Sequence, residues 1–147
     1  SFLENFKYCQ RVVFCGKVRC IDLLECFLNI EELKIDTSAD FTKEIQILES
    51  IKTLNSIKNF SLIVKKLNYI CHNDLLQMKK LENFHLKCYD QQIDFDLIDF
   101  RNMPNLKKIT FEMPEWVIEE IKGNVFGEKD KQILYLKISD EELYENQ

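Results

Sequence analysis

One spacing of apolar residues recurs along the chain and restricts the folds open to it. In residues 103–111, MPNLKKITF, apolar side chains fall at Leu106, Ile109 and Phe111, with mostly polar residues between them. With φ for an apolar residue, the spacing is φxxφxφ, and its last two positions alternate as in a strand with one buried side. One such stretch indicates only a strand, whereas a regular series of them indicates a repeat architecture.

The spacing occurs six times, at starts that lie 21, 27, 24, 25 and 27 residues apart. The six apolar triplets are, in chain order, Cys9, Val12 and Phe14; Ile30, Leu33 and Ile35; Ile57, Phe60 and Leu62; Leu81, Phe84 and Leu86; Leu106, Ile109 and Phe111; and Ile133, Leu136 and Ile138. Five starts are preceded, three positions earlier, by a further apolar residue: Phe6, Phe27, Leu54, Met78 and Met103. We therefore predict six neighbouring parallel strands, in chain order, at residues 12–14, 33–35, 60–62, 84–86, 109–111 and 136–138.

Between the predicted strands the apolar period lengthens to that of a helix. Residues 41–51 place four apolar side chains on one helical face, and residues 114–123 begin with a proline and end with a glycine, as helices often do. Residues 21–28, 73–78 and 94–100 are shorter helical candidates. One strand and one helical segment per ~25 residues predict an α/β fold in a single domain, residues 1–147.

The segments MPNLKKITF and NIEELKID resemble the LPNLxxLxL segments of leucine-rich repeat proteins, and the resemblance covers almost the whole chain. It implies a solenoid of about six degenerate repeats, with a parallel concave sheet, convex helices, and Leu81 and Leu106 as buried core positions. The Asn or Cys that usually follows the strand is replaced by Ser38, Lys65, Tyr89 and Pro114, so the usual ladder of buried hydrogen bonds cannot form as a whole. A non-repeat α/β domain stays open as the alternative.

Composition limits the classes of function. The formal charge is −5, and residues 74–147 alone carry −6, which disfavours binding of a phosphate backbone. No apolar run approaches the ~20 residues of a membrane span, and residues 1–10 lack the pattern of a signal peptide, so we expect an intracellular protein, cytoplasmic or nuclear. One Ala against 17 Lys and 16 Ile favours an AT-rich eukaryotic genome, as in several parasites. Because the sequence begins with Ser1, we expect a fragment of a longer or processed protein.

The sequence contains no motif that indicates catalysis, a metal or a cofactor. The six cysteines form no CxxC pair, and the only histidines are His72 and His85. No phosphate loop, nucleophile elbow or HExxH helix occurs, and neither histidine has sequence neighbours that suggest a catalytic relay. We therefore expect that the protein is not an enzyme. Four cysteines within the first 26 residues resemble the disulfide-bonded caps of secreted leucine-rich repeat proteins, which keeps a secreted protein open as an alternative.

The alternation of the predicted strands places a second set of side chains on the concave surface. This outward set is Arg11, Val13 and Cys15; Glu32, Lys34 and Asp36; Asn59, Ser61 and Ile63; Asn83, His85 and Lys87; Lys108, Thr110 and Glu112; Tyr135, Lys137 and Ser139. Its five cations and three anions carry a formal charge of +2, which leaves −7 for the rest of a chain whose total is −5. By resemblance we expect an unidentified protein partner to bind there, on Lys34, Asn59, Ser61, Asn83, His85, Lys87, Lys108 and Thr110.

Three rival functions remain, and each has an observable signature. A secreted effector acting on a host protein would hold disulfides, whereas a component of a nucleic-acid complex would bind with a steep salt dependence. An enzyme would need a pocket of perturbed titratable groups. No polar cap precedes Phe2, so we expect the first repeat to be an incomplete end, at which a longer chain, a partner or a short helix covers Phe2, Phe6 and Cys9.

Overall fold

A computed structural model describes residues 5–16, 24–38, 54–66, 77–90, 103–115 and 134–138, and the structural statements below concern these ranges. They contain six strands: β1, Arg11–Cys15; β2, Glu32–Asp36; β3, Asn59–Lys66; β4, Asn83–Asp90; β5, Lys108–Met113; and β6, Leu134–Ile138. A 3₁₀ turn, Leu54–Ser56, precedes β3.

The six strands form one sheet in the order β1-β2-β3-β4-β5-β6, and each neighbouring pair is parallel. The predicted strand positions and their predicted order are therefore confirmed. The register follows the apolar spacing across the first five strands, which aligns one row of equivalent residues: Val12, Leu33, Phe60, Phe84 and Ile109.

The register of β6 differs from the prediction. Leu134 pairs with Ile109 and Leu136 with Phe111, whereas the spacing assigned Leu136 and Ile138 to these two places. That assignment is wrong by two residues. Because strand side chains alternate with a period of two, a slip of two residues leaves every side chain on its own face, and the apolar pattern cannot distinguish the two registers. Ile138 is 54% exposed and is not a core residue.

The core lies on one face of the sheet. Its strand residues are each at most 4% exposed: Leu33, Ile35, Phe60, Leu62, Val64, Phe84, Leu86, Cys88, Ile109, Phe111 and Met113. The rings of Phe60 and Phe84 meet edge to face, with centroids 5.8 Å apart and an interplanar angle of 85°, a favoured geometry for aromatic pairs. Since burying one large apolar side chain contributes about 1.5–3 kcal/mol, these rows supply the main stabilising contribution of the sheet.

A backbone turn before the strands accounts for the additional apolar position in the spacing. The first residue of a triplet donates its N–H to the carbonyl three residues earlier, from Cys9 to Phe6 (2.9 Å), Leu81 to Met78 (3.0 Å) and Leu106 to Met103 (3.2 Å). Met78 and Leu81 are both 1% exposed. The turn before β4 thus places two apolar side chains in the core just before the strand begins.

A second backbone feature repeats at the start of each inner strand. One carbonyl accepts two consecutive N–H groups of the next unit: that of Gln10 from 31 and 32, Glu31 from 58 and 59, Lys58 from 82 and 83, and Glu82 from 107 and 108, at 2.7–3.1 Å. The side chains of this row alternate in charge, with Lys107 Nζ 3.0 Å from Glu82 Oε1 and Lys58 Nζ 4.0 Å from Glu31 Oε1. Successive units therefore enter the sheet in the same way.

Two predicted burials are wrong. Leu106 is half-buried, although Leu81, at the equivalent place in the preceding unit, is 1% exposed. The described part of β6 begins at Leu134, opposite Ile109, and so contains no residue in register with Leu106. Ile63, predicted on the outward surface, is only 9% exposed, and its register partners on the two neighbouring strands are Asp36 and Lys87.

The first strand marks an exposed end of the sheet. Every residue of β1 is exposed or half-buried, and Phe6, which we expected to be covered, is 40% exposed. Cys9 is half-buried, and Phe2 lies outside the described residues. Tyr8 and Leu28 are 65% and 51% exposed, so apolar surface continues beside β1.

Most of the predicted helical segments fall outside the described residues, including all of 41–51 and 94–100. Residues 24–26 of the candidate 21–28 form a 3₁₀ turn, and Gln77 and Glu115 are helical within the candidates 73–78 and 114–123. In the described part of the chain, no helix is long and apolar enough to cross a membrane.

Candidate functional site

The face of the sheet opposite the core carries a groove of about 620 Å³. We name this face the polar face, and its groove is lined by outward side chains of five strands: Arg11, Val13, Glu32, Lys34, Asn59, Ser61, Asn83, His85, Lys108 and Thr110. The strand register arranges them in rows that run across the sheet. The groove therefore brings together side chains of neighbouring strands that are more than 20 positions apart in the sequence.

The first row of the polar face contains two hydrogen-bonded pairs. Arg11 Nε donates to Glu32 Oε2 at 2.8 Å, and Asn83 Nδ2 donates to Asn59 Oδ1 at 2.6 Å. The side chains of the ion pair are 81% and 45% exposed, so the pair contributes at most about 1 kcal/mol to stability. The amide pair leaves N–H groups of Asn59 and the carbonyl of Asn83 open to an external partner.

Ser61 and His85 of the second row form a hydrogen-bonded relay with Glu112 of the third row. Ser61 Oγ lies 2.9 Å from His85 Nδ1, and His85 Nε2 lies 3.1 Å from Glu112 Oε2. Because a carboxylate only accepts, Nε2–H donates to Glu112, and in the neutral ring Nδ1 accepts from the Ser61 hydroxyl. The imidazole is therefore held at both nitrogens, in one orientation, at the floor of the groove.

A hydroxyl, an imidazole and an acid in this order can activate a nucleophile. Acyl transfer also requires donors aimed at the developing oxyanion. β3 and β4 are inner strands, and their backbone N–H groups around Ser61 and His85 are committed to the neighbouring strands. The relay thus lies beside strand backbone whose N–H groups are not available as oxyanion donors.

The sequence motifs did not predict this relay, because its three residues are far apart along the chain. Ser61 and His85 are 24 residues apart, and His85 and Glu112 are 27 apart. The expectation that His85 has no serine or acid beside it is therefore wrong in space. The available signal was the repeat period itself, which places residues about 25 positions apart on adjacent strands.

The lysines of the polar face have different surroundings. Lys87 Nζ lies 3.7 Å from Glu112 Oε1, and the two side chains are only 22% and 15% exposed. Lys108 Nζ lies 4.8 Å from the centroid of the Tyr135 ring, within the range of a cation–π contact. Lys34 is exposed and forms no ion pair with any residue that the structure describes. Lys137 is also exposed on this face but does not line the groove, so within the groove the lysines available to a partner are Lys34 and Lys108.

Seven of the eight predicted binding residues line the groove: Lys34, Asn59, Ser61, Asn83, His85, Lys108 and Thr110. Lys87 lies outside the groove and forms an ion pair with Glu112. The prediction omitted Arg11, Val13 and Glu32 as binding residues, although the alternation of β1 and β2 had placed them on the same face. Ser139, the last predicted outward residue, lies outside the described residues.

Four cysteines lie in the described ranges, and all are free thiols: Cys9, Cys15, Cys26 and Cys88. Cys9 and Cys26 are half-buried and Cys88 is buried, as is common for cysteines that pack as small apolar side chains. Within the same ranges, no three metal-ligating side chains come together.

Comparisons of the chain with family models, with curated proteins and with solved structures gave no match. The class of protein is therefore described by its architecture, a six-stranded parallel sheet with a polar groove on one face.

Proposed function

We propose that this chain is a degenerate leucine-rich repeat protein, a solenoid with convex helices, and that it acts as a non-enzymatic module for protein–protein interaction. Two features support the repeat architecture: the parallel strands follow one another in chain order, and the same carbonyl contact recurs between consecutive units. In such a protein the concave sheet presents outward side chains as a two-dimensional array for a partner.

The functional proposal rests on the fixed arrangement of the side chains that line the groove. Asn59 is bonded to Asn83, Ser61 to His85, and His85 to Glu112, so side chains of three adjacent strands hold one another in place. A surface whose rotamers are already restricted loses less conformational entropy when a partner docks. Hydrogen-bonded polar side chains on a rigid sheet are therefore suited to recognition.

The test replaces three side chains at the centre of the groove. In the triple variant Asn83→Ala, His85→Ala and Lys108→Ala, we expect loss of the partner that the wild-type protein captures from cells of its source and that mass spectrometry identifies. The matched control replaces three polar residues outside the groove, Gln77, Lys79 and Lys80, by Ala and retains the partner. Circular dichroism and urea unfolding check that both variants are folded.

Retention of the partner by the groove variant, with an affinity equal to that of the control, would contradict the proposal. The functional surface would then lie elsewhere on the chain.

A further inference from the structure

We propose that the groove binds an extended acidic segment of a partner protein, with two carboxylates that contact Lys34 and Lys108. This inference rests on the proposed function and adds the chemistry of the partner. Within the groove, Arg11 is compensated by Glu32 at 2.8 Å, which leaves Lys34 and Lys108 as the cations without an anionic partner among the described residues.

The acids of the polar face are already engaged by cations or donors. Glu32 is bound by Arg11, and Glu112 accepts from His85 and lies 3.7 Å from Lys87 Nζ. Incoming carboxylates therefore meet two uncompensated lysines and no uncompensated acid within the groove. Outside the outward set the chain carries a formal charge of −7, so an acidic segment is attracted to this face and repelled elsewhere.

The separation of the two lysines defines the spacing of the acids. Lys34 lies on β2 and Lys108 on β5, three strand intervals apart, which is about 14 Å across the sheet at roughly 4.8 Å per interval. Because Lys34 is in register with Thr110, the two lysines are also offset by two residues along the strands, about 7 Å, so their backbone positions lie about 16 Å apart. In an extended peptide, residues i and i+4 point to the same side and lie about 14 Å apart. Two acidic residues four positions apart therefore come within reach of the two flexible lysine side chains when the peptide crosses the strands obliquely.

The groups between the lysines suit a peptide backbone. Asn59 and Asn83 lie on β3 and β4, between β2 and β5, and their mutual bond leaves amide N–H groups and one carbonyl open. These groups can bond the C=O and N–H of a crossing peptide. Tyr135, 52% exposed, packs against Lys108 and holds its ammonium group at this end of the groove.

The experiment compares three dye-labelled nine-residue peptides by fluorescence anisotropy at low ionic strength. The first carries Asp at positions i and i+4 in a Ser/Thr background, the second has the same composition with adjacent Asp residues, and the third has Lys in place of both Asp. We expect the first peptide to bind about threefold more tightly than the second, and the third not to bind. Because exposed ion pairs are screened, binding of the first weakens as salt is added.

Lysine variants test which side chains of the groove contact the peptide. Lys34→Gln and Lys108→Gln each weaken binding of the first peptide about threefold, and the double variant weakens it about tenfold, as expected for exposed ion pairs. The control Lys79→Gln removes an exposed lysine outside the groove and leaves binding unchanged. Equal binding of the acidic and basic peptides, unchanged binding by the double variant, or tighter binding of a single-stranded oligonucleotide would overturn the inference.

The outcome separates this inference from the proposed function. In one outcome, the triple variant of the groove loses its cellular partner while the first peptide fails to compete with that partner. In that case the inference of an acidic segment is wrong, and the proposal that the groove is the interaction surface is retained. If the triple variant keeps its partner with unchanged affinity, the proposed function itself fails.

Discussion

Replacement of Leu81 by Ala tests whether the turn before each strand is part of the core. Leu81 is 1% exposed, and its N–H donates to the Met78 carbonyl at 3.0 Å. The substitution removes three carbon atoms, worth about 2.4 kcal/mol in transfer free energy at ~0.8 kcal/mol per methylene. A cavity in the closely packed interior adds to this loss, so we expect the free energy of unfolding to fall by about 2–5 kcal/mol.

Leu106→Ala provides a matched comparison at the equivalent position of the next unit. Its N–H makes the same turn contact, to Met103, but its side chain is half-buried. About half of the transfer term is lost and water fills much of the space, so we expect a loss of ~1 kcal/mol. This replaces the expectation from the sequence that both leucines are equally buried.

Urea unfolding followed by circular dichroism measures both variants. A loss of ~3 kcal/mol lowers the midpoint by about 1.5 M at a slope near 2 kcal/mol per M, and the slope itself stays constant if only the stability changes. Equal losses for the two variants, or an unchanged midpoint for Leu81→Ala, would refute the assignment of Leu81 to the core and Leu106 to its margin.

Two further predictions concern single hydroxyl groups. Thr37 is 1% exposed and its Oγ1 has no hydrogen-bond partner among the described residues, so Thr37→Val, which retains the shape, should raise the free energy of unfolding by about 1–2 kcal/mol. A lower urea midpoint for this variant would show that the hydroxyl is bonded or hydrated. Ser61 should not react with a fluorophosphonate probe, because the paired backbone of β3 and β4 offers no oxyanion site. Mass spectrometry that finds the probe on Ser61 of the wild type, but not of His85→Ala, would contradict the non-enzymatic proposal.

The amino-acid sequence by itself determined where the strands lie, their order, and the face on which most of their side chains fall. These properties follow from local alternation: Leu33 and Ile35 are buried and Lys34 is exposed because successive side chains of a strand point to opposite faces. The near-constant period then indicated which residues would be neighbours across the sheet, and the groove contains seven of the eight residues expected to bind a partner.

The tertiary structure alone decided the register of β6, the margin of the core and the contacts among groove side chains. A slip of two residues preserves the face of every side chain, so only the pairing of Leu134 with Ile109 distinguishes the two registers. The apolar spacing gives Leu81 and Leu106 equivalent positions, and only the structure shows that Leu81 is buried and Leu106 half-buried. The relay from Ser61 through His85 to Glu112 depends on rotamers and on distances across three strands, which a one-dimensional pattern of apolar and polar residues does not encode.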